Sequence, residues 1–222
     1  VVVMPQSLSR EKIELLDLYG ADLKLVRATS YDDPEHYIHT AERISQSLAE
    51  SSENGVIWAR QFDNLANRDI HMRTTGQEIW EQTNGTVDGF ICAVGTGGTL
   101  AGVAQALRER KPNIKIGLAD PQGSALFSHY TNGELNAEGR SIAEGIGISF
   151  LTGNLDGFQP DFSWQLSDAE SLPWIFKLLK NEGMCLGGSS AINIAGAVKL
   201  AEEMGPGHTI VTILCDYGDR YK

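Results

Sequence analysis

The sequence lacks several things that would have decided its class at once. No apolar run reaches the ~18 residues that a membrane span needs. Low-complexity tracts, a Gly-X-Y period and sustained heptads are also missing, which excludes a disordered chain, collagen and a coiled coil. Basic charge is scarce: 18 Lys and Arg stand against 29 Asp and Glu, a net of −11. No basic cluster is longer than Arg108, Arg110 and Lys111, so nothing forms the basic stripe that displaces counterions, and nucleic acid is not an expected partner. Cysteine is limited to Cys92, Cys185 and Cys215, odd in number and widely spaced. They read as reduced core residues of a cytoplasmic protein, neither a disulfide framework nor a metal site. The opening Val1-Val2-Val3-Met4-Pro5 has no initiator methionine and no basic n-region, so the chain is expected to begin inside a domain, at a strand.

What is present is an ordinary globular balance, 41% apolar and 21% charged, enough to bury a core. Short β-branched runs alternate with longer segments of helical period, the pattern of an α/β protein with a mainly parallel sheet. Strands are expected at Val1–Met4, Leu23–Val26, Val56–Ala59, Val87–Val94, Ile114–Ala119 and Thr209–Cys215. Helices are expected from Ser9 to Tyr19, after a cap and first-turn proline at Asp33-Pro34, and from a cap at Asn67 or Asp69 to Thr83. Two more run from a capping box at Ser167 to Gly183 and from about Ser190 to Met204. The stretch Pro121–Gln165 is the least regular and is expected to form the rim of a site.

The sharpest local motif is Gly95-Thr96-Gly97-Gly98-Thr99, between an apolar strand and the helical run Leu100–Arg110. A glycine turn at a helix start offers several N–H groups at the positive end of the dipole, a cradle for one phosphate; the alternative is a bare strand-to-helix turn. The dinucleotide pattern fails at Leu100, and the Walker pattern fails at Val103-Ala104. Gly187-Gly188-Ser189-Ser190 also opens a helix, where a serine hydroxyl can cap, partner a cofactor ring or act as a nucleophile. Ala191 breaks the nucleophile-elbow pattern, and His208 and Asp216 follow in the wrong order for an α/β hydrolase. Gln61 and Asn64, at the end of an expected strand, offer amide donors for a carboxylate, though such residues also make turns. Glu144-Gly145-Ile146-Gly147 can admit a substrate to the backbone or act as a hinge, or be only a turn. His36 and His39 share a helix face without a third ligand, so no metal site is expected. His71, His129 and His208 read as isolated, and Trp58, Trp80, Trp164 and Trp174 as core residues.

Taken in order, these motifs, together with Ala66-Asn67, Thr74-Thr75-Gly76, Glu78-Ile79-Trp80 and Asp216-Tyr217-Gly218-Asp219-Arg220-Tyr221, resemble the cysteine synthase (O-acetylserine sulfhydrylase) and cystathionine β-synthase family. The resemblance covers essentially the whole chain. It implies the doubly wound, tryptophan synthase β-like fold of fold type II enzymes dependent on pyridoxal 5′-phosphate (PLP). Residues 1–55 then correspond to a remnant of the smaller N-terminal domain, and 56–222 to the large PLP domain.

By the same resemblance, Gly95, Thr96, Gly97, Gly98 and Thr99 hold the cofactor phosphate and Ser189 faces its pyridine nitrogen, where a neutral hydroxyl makes a milder electron sink. Gln61 belongs to the substrate carboxylate subsite, and Gly145 to the loop near the amino-acid substrate. The implied reaction is β-replacement, making L-cysteine from O-acetylserine and sulfide. The implied partners are those two substrates, a second copy in a homodimer and a serine acetyltransferase. Gly187-Gly188-Ser189, Asp120-Pro121 and Cys215-Asp216 lean instead toward a cysteine desulfhydrase or cystathionine β-synthase type of lyase. One departure stands out. The family's Schiff-base lysine and the asparagine loop that follows it have no counterpart among Lys12, Lys24, Lys111, Lys115, Lys177, Lys180, Lys199 and Lys222. The expectation is therefore a piece of a longer enzyme, incomplete at its N-terminus, with no catalytic residue of its own; a non-catalytic binding module is the reading of another class.

Overall fold

The computed structural model describes residues 1–221, with side chains through Asp219; Lys222, one of the eight lysines, lies outside the described residues. Two compact units divide the chain, one formed by Val1–Arg60 with Arg220 and Tyr221, the other by Gln61–Asp219.

The first unit is a small βαβ arrangement. Strand β1 (Val2–Pro5) pairs in parallel with β2 (Leu23–Val26), Val2 opposite Leu23, and α1 (Arg10–Leu18) makes the crossover that parallel strands require. Helix α2 (Tyr37–Ser51) follows. Its start corrects the expectation at Asp33-Pro34. The Asp33 carboxylate accepts from the Glu35 N–H at 2.8 Å and the Asp33 carbonyl from the His36 N–H at 2.9 Å. This closes a turn ahead of the helix, and buried His36 is the residue that caps it, accepting from Ile38 N–H. Val56–Ala59 is not a strand. An apolar run becomes one only beside a neighbour that takes its backbone groups, and here Ile57 stands 97% exposed.

The second unit carries the main sheet, four parallel strands in the order β5-β4-β3-β6, with β3 at Val87–Cys92, β4 at Lys115–Pro121, β5 at Phe162–Leu166 and β6 at Thr209–Val211. Strand alternation sorts the core onto its two faces. Phe90 and Cys92, with Ile116 and Leu118, pack on one side against Leu100, Val103 and Leu107 of α5 (Gly98–Arg110). Ile91 and Ala119 pack on the other against Ile192, Ala195 and Leu200 of α8 (Gly188–Met204). Helices on both faces make the sheet doubly wound, as expected.

Other elements depart from the sequence reading. The single helix expected up to Thr83 is two, α3 (Ala66–Arg73) and α4 (Thr75–Gln82), with the break at Thr74. Asn67 and Asp69 accordingly sit inside α3 rather than capping it. The stretch called irregular contains α6 (Leu126–Asn132) and all but the last residue of β5, the latter held because β4 offers it a complete partner edge from Gly117 to Pro121. The capping box is present as read: Ser167 and Glu170 bond reciprocally at the start of α7 (Asp168–Glu182). Only Cys92 is a core cysteine; Cys185 and Cys215 are exposed. The four tryptophans are half-buried, and of them Trp80, Trp164 and Trp174 pack at the margins of the two cores of the second unit. No helix among the described residues is long and apolar enough to cross a membrane.

Candidate functional site

The topology selects a location before any side chain is considered. From β3 the chain moves outward through β4 to β5, then returns through α7 and α8 to place β6 on the opposite side of β3. The strand order therefore reverses between β3 and β6, and the crevice at the C-terminal ends of strands beside such a reversal is where doubly wound sheets take ligands. Asn193 of α8 keeps it open. The β3–β6 register runs only to Phe90 opposite Val211. Beyond it, the Asn193 oxygen accepts from Ala93 N–H at 2.6 Å while its amide donates to the Ile213 carbonyl at 2.8 Å. A side chain thus occupies the place of the next ladder bonds, and the two strands splay.

The Gly95–Thr99 loop emerges at this point from β3 into α5. Gly97 is the helix N-cap at φ +86°, a left-handed conformation that glycine adopts without a Cβ penalty. The first N–H groups of α5 have no acceptor within the helix and converge on the loop. Gly95, Thr96 and Thr99 are half-buried. The two threonines of the loop are held from behind. Thr96 Oγ1 accepts from the Asn67 amide at 2.9 Å, and the Thr96 carbonyl accepts from the Thr152 hydroxyl at 2.8 Å. Thr99 Oγ1 lies 3.1 Å from His71 Nε2. A Cβ at Gly98 would collide with Asn67 Oδ1, and one at Gly95 with the Gly145 carbonyl. Donors without side-chain bulk, braced by neutral hydroxyls, an imidazole and amides, suit a compact anion such as a phosphate monoester; no acidic residue stands within the loop.

The other expected site residues gather around this loop. Gly145, at φ +79°, belongs to the turn packed on Gly95, which Gly147 N–H fixes by donating to the Val94 carbonyl at 2.9 Å. Ser189, 4% exposed, lies in the first turn of α8, its hydroxyl donating at 3.4 Å to Asp216 Oδ1. Neighbouring bonds lace the same helix start to the segment after β6: Ser190 Oγ accepts from Cys215 N–H at 2.9 Å, and Gly187 N–H donates to the Asp216 carbonyl at 2.9 Å. Although Cys215 is exposed as a residue, local desolvation of its thiol raises the pKa. Gln61 joins through its backbone. Its carbonyl accepts from the Asn67 amide at 2.8 Å and the Asn154 amide at 2.9 Å, while its side chain is exposed. It does not end a strand, as the sequence reading had it, because Val56–Ala59 forms none.

Several site residues escaped the sequence reading. His71, read there as isolated, bonds Thr75 Oγ1 at 2.9 Å as well as Thr99. Its i, i+4 spacing to Thr75 is visible in the sequence; its reach to Thr99 is not. Asn154, Thr152 and Asn193 carried no local signal. Among the described residues no group of three or more His, Cys, Asp or Glu is arranged to hold a metal. Of the described lysines, Lys24, Lys111 and Lys115 pair with Asp22, Asp88 and Asp161, and Lys177 lies over the Trp174 ring.

Comparison with known proteins agrees with this construction. Residues 1–216 match the family described as pyridoxal-phosphate dependent enzyme. Cysteine synthase 1 of Neurospora crassa is 43% identical over 226 residues, covering 100% of this chain and 59% of that protein. The chain thus spans about three-fifths of the curated relative's length. Among solved structures, the O-acetylserine dependent cystathionine β-synthase of Helicobacter pylori superposes with a TM-score of 0.82 at 29% identity, over 99% of this chain and 67% of that one. A hydrogen sulfide-producing enzyme of Fusobacterium nucleatum gives 0.84 at 29%, over 99% and 70%. On the match over residues 1–216 and the sheet, loop and helix start that form the crevice, the chain belongs to the family of pyridoxal-phosphate-dependent enzymes.

Proposed function

We propose that the protein serves PLP-dependent β-replacement, forming L-cysteine from O-acetylserine and sulfide. The observation that carries this reading is the Gly95–Thr99 loop at the strand-order reversal, in a chain 43% identical to a cysteine synthase. When bound, PLP supplies an electron sink for the substrate α-carbon, so that the β-substituent can leave and a nucleophile can take its place.

The chain's own residues supply binding and orientation. The N–H groups of Gly95–Thr99 and the hydroxyls of Thr96 and Thr99 hold the phosphate. Ser189 presents its hydroxyl to the pyridine nitrogen and Gln61 its amide to the substrate carboxylate. The Gly145 turn, packed on Gly95, closes the loop's flank and limits water there. No residue of 1–222 is assigned the Schiff-base role. A homodimer, a serine acetyltransferase partner and a cytoplasmic location accompany the reading.

A lyase direction, cysteine desulfhydrase or cystathionine β-synthase type, has specific support in the likeness to the hydrogen sulfide-producing enzyme and to the cystathionine β-synthase. The protein at its natural full length, supplied with PLP, is assayed both ways, for cysteine formed from O-acetylserine and sulfide and for sulfide released from cysteine. Dominant cysteine formation is expected; dominant sulfide release would replace synthesis with the lyase. Binding of pyridoxine 5′-phosphate with neither activity would leave a binding module.

A further inference from the structure

Thr99 has one proton to give. If the loop binds an anion, that proton is useful only when it points into the cradle, and whether it does depends on the group behind it. That group is His71, whose Nε2 lies 3.1 Å from Thr99 Oγ1 and whose Nδ1 lies 2.9 Å from Thr75 Oγ1. Burial lowers the His71 pKa, which favours the neutral imidazole, and a neutral imidazole has one donor nitrogen and one acceptor. Two arrangements follow. With the proton on Nδ1, Nε2 must accept, and Thr99 spends its proton on His71 and turns only lone pairs toward the anion. With the proton on Nε2, His71 donates to Thr99, Thr75 donates to Nδ1, and the Thr99 proton is released to the cradle.

We propose that His71 is a positioning residue which, as its Nε2–H tautomer, aims the Thr99 hydroxyl at a phosphate monoester in the Gly95–Thr99 loop. The donors then run in one direction, from Thr75 to His71 to Thr99 to the anion, and each bond polarises the next. Thr75 fits this order as the first residue of α4, immediately after the break at Thr74. Its hydroxyl stays within reach of Nδ1 at the i, i+4 spacing, 2.9 Å away, across that break. Close packing holds the base of the side chain, because α3 lies so near α5 that a Cβ at Gly102 would meet His71 Cβ at 2.9 Å.

The proposal rests on the phosphate reading of the loop, and the experiment separates the two. Pyridoxine 5′-phosphate and pyridoxine lack the aldehyde, so neither forms lysine adducts, and they differ only in the phosphate. The unmodified protein is expected to bind the phosphorylated compound more tightly. His71→Phe is expected to lower that affinity about tenfold while leaving pyridoxine unchanged, and His71→Gln, which keeps a donor near Nε2, to recover it to within about threefold. Nitrogen-15 NMR of histidine-labelled, unmodified protein with pyridoxine 5′-phosphate bound is expected to show Nε2 protonated and Nδ1 bare. It reads the proposal directly should His71→Phe fail to fold. Equal affinity for the two compounds in the unmodified protein would defeat the phosphate reading, and the proposal with it. A preference that survives in folded His71→Phe, or a proton found on Nδ1, would defeat the proposal alone.

Discussion

Asn193 and Ala93 are joined across the crevice by a 2.6 Å hydrogen bond between residues a hundred positions apart. The Asn193 side chain is 1% exposed and answers two backbone groups that the splayed strands leave behind, Ala93 N–H and the Ile213 carbonyl. Unpaired buried groups of this kind cost about 1–3 kcal/mol each. Asn193→Leu, nearly isosteric, is therefore expected to destabilise the protein by ~2–4 kcal/mol and to lower Tm by roughly 5–10 °C. Asn193→Asp keeps the acceptor for Ala93 and can donate to Ile213 only when protonated, so its loss should grow as pH rises. Thermal unfolding of the three proteins at a series of pH values checks both; a Leu variant as stable as the parent would mean that water or a rearranged ladder replaces the side chain.

The loop's tolerance is set by Asn67. A methyl group at Gly98 would occupy the space of Asn67 Oδ1, and the same carboxamide holds Thr96 and the Gln61 carbonyl. Gly98→Ala is expected to cost ~1–3 kcal/mol in urea unfolding, as overpacking does, and to weaken pyridoxine 5′-phosphate binding by displacing Thr96. Adding Asn67→Ala removes the colliding oxygen, so the double variant should lose less stability than the two single losses combined. Strict additivity would show that the collision is relieved elsewhere.

How much of this could be read from the sequence follows from the range of each signal. Strand β3, the glycine turn and α5 are written locally, as an apolar run, a residue able to take positive φ and a helical period. The Ser167–Glu170 box is likewise complete within four residues. Val56–Ala59 and β5 show the limit. The first has the better strand composition and forms none, while Phe162–Leu166, in a glycine-rich setting, forms one because β4 lies beside it. The family motifs, Asn67 among them, located the crevice, but the contacts that brace it were invisible. Asn67, His71 and Asn193 look like ordinary polar positions on helices until tertiary packing brings them to Thr96, Thr99 and Ala93.

Asp120 gives the fold a pH dependence whose sign can be worked out. The carboxyl is fully buried near the end of β4. Burial raises its pKa to about 6, opposed by nearby donors, of which the Phe127 N–H bonds the carboxylate at 2.7 Å. In the unfolded chain the group titrates near 3.8. Between those values the folded state holds a proton that the unfolded state has released, so this group's contribution to stability is complete below about 4 and declines as pH rises through about 6. The full decline is ~3 kcal/mol at most, at 1.36 kcal/mol per unit. Asp120→Asn keeps the shape and an acceptor for Phe127 without the charge. Its stability relative to the parent, from urea unfolding at a series of pH values, should therefore improve from pH 4 to 7 and level off above. A difference that stays flat over that range would mean that Asp120 does not change its proton occupancy on folding.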